Sequence, residues 1–149
     1  MAHSIGNGAR RAVPWTRLGL ATGAGILAAV AATELLYLLA SAAGVVDHSI
    51  ALASLLGTGP LDPVSVATTA LVATVGAGLV LGGLMLGTRH PVRTFRILAT
   101  VLAALSLSMP ASIPGPPPGM RLAMALMHVV VWAAVVGVLA SLAGRGSAR

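Results

Sequence analysis

Long apolar runs separated by short polar or Pro/Gly breaks fill this chain, and four of them are long enough to matter. The first, 18–44, is interrupted by one acid, Glu34. The second, 64–87, carries no charge and is rich in glycine, which weakens a helix in water and is ordinary in a membrane helix. The third, 95–113, is broken by Pro110 and must draw on residues up to Ile113 to reach across a bilayer. The fourth, 120–143, follows the turn from Pro114 to Gly119, whose prolines and glycines end one helix and start another. Each run approaches or exceeds the roughly 20 residues that cross the hydrocarbon core. The pattern predicts an all-α polytopic membrane protein, a compact bundle of four transmembrane helices, with 1–17 and 144–149 as tails.

Composition agrees with this reading. At 57% hydrophobic and 8% charged residues, with a mean hydropathy of +0.97, the chain lacks the polar surface that a soluble domain of 149 residues needs. A secretory signal peptide is the rival for the first run, because Arg10 and Arg11 precede it and Ala29-Val30-Ala31 resembles a cleavage site. The run continues through Leu35, Leu36, Leu38 and Leu39 without a polar break, which suits an anchor. The nine arginines, with no lysine, and the abundance of Ala, Gly and Val fit a GC-rich bacterial genome. Without cysteine, disulfides and thiolate chemistry are excluded.

The formal charge of +6 reads as topology once its placement is considered. Arg10, Arg11, Arg17, Arg89, Arg93, Arg96, Arg145 and Arg149 flank one side of the four runs, whereas Arg121 alone falls with Asp47 and Asp62 on the other. Positive charge accumulates on cytoplasmic loops, so both termini are expected in the cytoplasm of a bacterial cytoplasmic membrane. Trp15 suits an interfacial anchor on that side. The partners expected from this distribution are the lipid bilayer and a second copy or another membrane protein, with no nucleic acid. His90 lies in the arginine cluster and His3 in the tail, where solvation is the default.

Glu34 is the residue whose chemistry stands out, since an acid in hydrocarbon normally faces a partner, a cavity or the bundle interior. It lies ten residues before Gly44, ~15 Å below that end of its helix at 1.5 Å per residue. His128 lies seven residues after Arg121, ~10 Å below the same side. The two are therefore expected in one layer, with Thr74 and Thr100 as further polar groups near that level. Two readings fit: a buried pair that fixes helix register, or a protonatable pair in a transport or ligand site. Tyr37 and Trp132 share helical faces with Glu34 and His128 and are candidate walls of a small pocket.

Glycine spacing supplies candidate contacts between helices. Gly19 and Gly23, Gly78 and Gly82, and Gly83 and Gly87 form GxxxG pairs that let backbones approach closely. The connector 45–63 carries an apolar centre, Ile50 to Leu56, expected as a short surface helix capped by Asp47. Asp47, His48 and Asp62 lack the spacing of a metal site, and no Walker loop, HExxH or GxSxG is present, so neither metal, cofactor nor catalytic residue is assigned.

From Thr94 to Ala140, the chain runs through Ala104-Leu105-Ser106-Leu107 to Pro110, turns at Pro/Gly, and opens a helix with Ala125-Leu126-Met127-His128. This stretch resembles a family of small four-helix actinobacterial membrane proteins catalogued as a domain of unknown function. The resemblance implies four spans and no reaction, substrate or cofactor. The residues together suggest a non-enzymatic interaction or accessory subunit, with a small oligomeric transporter or channel built on Glu34 and His128 as the alternative.

Overall fold

A computed structural model describes residues 15–54 and 57–144, which places Arg10, Arg11, Arg145, Arg149 and His3 outside the described residues. The elements are α1 (Trp15–Ala42), β1 (Leu52–Ser54), β2 (Gly57–Gly59), α2 (Pro63–Gly87), α3 (Pro91–Ser106), α4 (Ser108–Ser112) and α5 (Pro118–Gly144). Four helical stretches, with α3 and α4 counted as one of 22 residues, are long and apolar enough to cross a membrane. These are the helices of a multi-pass membrane protein.

The helices form a ring in the order α1, α2, α3, α5, with α1 packed most extensively on α5 and α2. Neighbours run antiparallel, so Arg17, Arg89, Arg93 and Arg96 gather at one end of the bundle and the β-hairpin at the other. Two core clusters stack along the axis. Near the Arg end, Leu18, Ala21, Leu81, Phe95 and Leu139 pack together; near the hairpin end, Tyr37, Val46, Leu52, Met120, Met124 and Met127 do so. The α3–α4 stretch is peripheral, with 11% of its most apolar window buried against 28% in each of the other three.

Local chemistry explains the ends of these helices. α1 stops in a Schellman arrangement, where Val45 N–H donates to Ala40 O (2.9 Å) and Gly44 N–H to Ser41 O (3.0 Å). Gly44 has φ 67°, a conformation that favours glycine. α2 is capped by Asp62, whose carboxylate accepts from Ser65 N–H (3.0 Å) and Ser65 Oγ (2.8 Å), with Pro63 in the first helical turn. α3 begins at Pro91, four residues ahead of the expected Phe95, so Arg93 and Arg96 ride on its first turns. Arginine tolerates that position because its long stem lets the guanidinium reach the interface. Pro110 has no N–H to give Ser106 O, four residues back, and the helix accordingly breaks at Leu107 between α3 and α4.

The connector departs from expectation. In place of a surface helix over 50–56, of which Leu55 and Leu56 lie outside the described residues, β1 and β2 pair antiparallel with Leu52 opposite Gly59. Asp47 caps no helix; its Oδ1 accepts from Ser49 N–H (2.9 Å) and Ser49 Oγ (2.6 Å) in a local turn. Gly57, Gly59 and Pro60 are poor helix residues, and Gly57 adopts φ 124°. Val46 and Leu52 are instead buried against Tyr37 and Met120, so the connector folds onto the bundle end.

Candidate functional site

Each polar side chain expected in the membrane layer has a definite place, and the direct pairing of Glu34 with His128 is not formed. Histidine Nδ1 of residue 128 is 2.7 Å from Met124 O, one turn back on its own helix. His128 shares a face with Trp132, whose indole N–H donates to Thr100 Oγ1 across to α3 (3.3 Å). Glu34 instead turns toward α2, where its carboxyl lies beside the backbone of Ala67 and within electrostatic reach of Asp62. The ring order explains the separation: Glu34 serves the α1–α2 seam, and the face carrying His128 and Trp132 serves the α5–α3 seam. Counting residues gives a position along each helix axis and not the direction a side chain takes around it.

The hydroxyls are likewise used locally. Thr74 is fully buried and donates to Ala70 O (2.7 Å), while buried Thr33 donates to Ala29 O (2.7 Å) and Val30 O (3.1 Å). Thr22 donates to Leu18 O (2.9 Å). Back-bonding of this kind satisfies a hydroxyl in apolar surroundings without a second helix. Tyr37 and Trp132 do not wall a common pocket: the Tyr37 hydroxyl donates to Leu61 O (3.3 Å), tying the connector to α1, while Trp132 reaches Thr100. Arg121 also acts locally, donating from Nε to Pro116 O (2.9 Å) and fixing the Pro/Gly turn.

Of the candidate packing glycines, Gly78 and Gly82 alone make close contacts among the described residues. A β-carbon on Gly78 would meet Thr22, and one on Gly82 would meet Leu18 (3.0 Å) and Trp15 (3.3 Å). A β-carbon on Gly19, Gly23, Gly83 or Gly87 would meet nothing within 4 Å among the described residues. Gly25, which belongs to no GxxxG pair with these, is a packing glycine that spacing missed, since its β-carbon would lie 3.3 Å from the Thr74 methyl. Its signal was the placement of a threonine on each helix opposite a glycine on the other.

What remains unusual is Glu34 itself. The side chain is partly exposed, yet its Oε1 is buried and has no hydrogen-bond partner among the described residues. One turn toward the Arg end, on the same face, α1 and α2 enclose an open groove of about 430 Å³ lined by Leu27, Val30, Ala31, Ala67, Thr68 and Leu71. The lining is almost wholly apolar. Ala67 belongs both to the groove and to the surroundings of Glu34, so the acid stands at the groove's hairpin end. No group of three or more His, Cys, Asp or Glu capable of holding a metal occurs among the described residues.

Residues 12–145 match a family described as a family of unknown function, DUF6069. The chain belongs to this family. The match spans all four long helices, beyond the last two spans in which the resemblance was most visible. No curated protein and no solved structure matches the chain. The chain is a four-helix membrane protein whose distinguishing polar feature is the Glu34 carboxyl at the α1–α2 seam, with Oε1 buried and without a hydrogen-bond partner among the described residues.

Proposed function

We propose that the chain is a non-enzymatic interaction or accessory subunit of the bacterial cytoplasmic membrane, with both termini in the cytoplasm. The observation that carries this reading is that the buried threonines and His128 bond to carbonyls of their own helices, which leaves no polar line from one end of the bundle to the other among the described residues. A proton or ion path needs such a line. An accessory role is favoured over transport through a Glu34/His128 pair because Glu34 lies beside α2 whereas His128 bonds Met124 O on its own helix. The orientation follows the charge: Arg17, Arg89, Arg93 and Arg96 share one end, while the other holds Asp47, Asp62 and an Arg121 engaged with Pro116.

The peripheral α3–α4 stretch suits contact with another membrane protein or a second copy. Phe95 is its one large buried side chain, whereas Ile97, Val101, Leu102 and Leu105 are exposed from the bundle. The test is purification from native membrane followed by mass spectrometry of the proteins retained, in parallel with proton flux in proteoliposomes. Specific retention that is lost on replacing Val101 and Leu105 by bulky Trp supports the reading. Flux above that of protein-free vesicles, abolished by Glu34→Gln, overturns it.

A further inference from the structure

The α1–α2 seam changes character along its length. Toward the Arg end it is closed by threonine and glycine: Thr22 on Gly78, Thr74 on Gly25, and Trp15 and Leu18 on Gly82. Toward the hairpin end it opens into the 430 Å³ groove that leads up to Glu34. On α1 the groove's lining runs from Ile26 to Ala31, ~8 Å along the axis at 1.5 Å per residue, and Glu34 stands about one turn beyond it on the same face. The groove therefore lies parallel to lipid chains and open to them.

Depth and charge then narrow what fits. Ala67 lies four residues past Pro63, the first residue of α2, so the carboxyl beside it sits ~6 Å below that helix end. α1 runs on past Glu34 to Ala42 and projects beyond the start of α2, so the acid falls in the hairpin-side part of the ~38 Å that α2 spans, close to the boundary between headgroups and acyl chains. Glu34, Asp47 and Asp62 share this half of the bundle with one described arginine, Arg121, whose Nε is engaged with Pro116 O. An occupant that meets Glu34 as a carboxylate brings a cation. It must also bring hydrogen-bond donors, because Oε1 is buried without one. A primary ammonium has three N–H donors, whereas a quaternary ammonium has positive charge and none. The Thr68 hydroxyl in the groove, which makes no hydrogen bond among the described residues, offers a second acceptor.

We infer that the groove holds one primary-amine phospholipid of the hairpin-side leaflet, its ammonium on Glu34 and one acyl chain lying between α1 and α2 toward the bilayer centre. An ion pair with N–H···O bonds offsets the cost of an isolated carboxylate in hydrocarbon. The apolar walls of Leu27, Val30, Ala31 and Leu71 receive the chain. The site requires only that the helices span a bilayer, and it stands apart from the accessory role.

The test is native mass spectrometry of the full chain released from vesicles containing equal phosphatidylethanolamine and phosphatidylcholine. Wild type is expected to retain the ethanolamine lipid about tenfold over the choline lipid, the ratio that corresponds to ~1.4 kcal/mol. Glu34→Gln is expected to bring the ratio near one while the protein stays folded. Ala67→Leu, which narrows the groove and keeps the acid, is expected to reduce lipid of both kinds. Equal retention by wild type, or a preference that survives Glu34→Gln, overturns the assignment. A third arm adds dodecylamine to the same vesicles: displacement of the retained ethanolamine lipid supports a shared ammonium site, whereas amine binding with no retained phospholipid overturns the lipid source.

Discussion

Thr22 of α1 stands directly over Gly78 of α2, so close that a β-carbon on Gly78 would lie 2.5 Å from Thr22 Oγ1 and 2.9 Å from its methyl carbon. The hydroxyl cannot swing aside without giving up its bond to Leu18 O. Gly78→Ala is therefore expected to destabilise the bundle by roughly 1–3 kcal/mol, the usual cost of overpacking. Thr22→Ala in the same chain should restore much of the loss, and Gly23→Ala, which meets nothing within 4 Å, should be neutral. Unfolding midpoints in detergent measure all three.

Glu34 predicts the opposite sign. Replacing it with leucine removes a carboxyl oxygen that is buried without a partner and places an apolar group beside lipid. The gain in stability in a choline-headed detergent should be on the order of 1 kcal/mol, below the ~2.5–3.5 kcal/mol cost of an acid at the bilayer centre because Glu34 lies nearer the interface. A lowered unfolding midpoint would mean that the carboxyl supports the fold.

The Trp132–Thr100 bond links α5 to α3 at a distance of 3.3 Å. Hydrogen bonds between membrane helices average about 0.6 kcal/mol, so Trp132→Phe and Thr100→Ala should each cost about that much. If the bond is the source of both losses, the double variant costs little more than either single one. A double-mutant cycle reads this directly.

Asp62 gives a pH dependence outside the spans. The Ser65 backbone N–H, followed by the Ser65 hydroxyl, holds its carboxyl below the ordinary aspartate range. Because the folded value is the lower one, its contribution is complete above the unfolded value, about 3.9, and is lost as pH falls through the folded value. The stability difference between wild type and Asp62→Ala should thus be constant above about pH 5 and shrink below about pH 4. Measured against pH, Asp62→Asn, which keeps a capping oxygen without a carboxylate, should show no such titration.

Helix number was legible in the apolar runs because the bilayer sets a length, and the expected second and fourth spans nearly coincide with α2 and α5. The third was harder, since Arg93 and Arg96 look like loop residues in a linear sequence although long side chains let them sit on the first turns of α3. The hairpin was missed for a different reason. Ile50, Ala51 and Leu52 carry an apolar pattern that a surface helix also satisfies, and Leu52 found burial against the end of the bundle instead.

Sequence by itself determined that four apolar helices cross between a basic side and an acidic one, because hydropathy and charge act on each segment separately. It also singled out Glu34, since an acid among apolar residues is conspicuous without knowing its neighbours. Only the tertiary structure decided which side of α1 that acid occupies, that Thr22 on Gly78 and Thr74 on Gly25 close the seam with α2 and that Gly78–Gly82 is the GxxxG pair used there among the described residues, and that His128 serves another face. A helix turns by about 100° per residue, so depth follows from counting, but the neighbour that each face meets depends on how all four helices pack around one another.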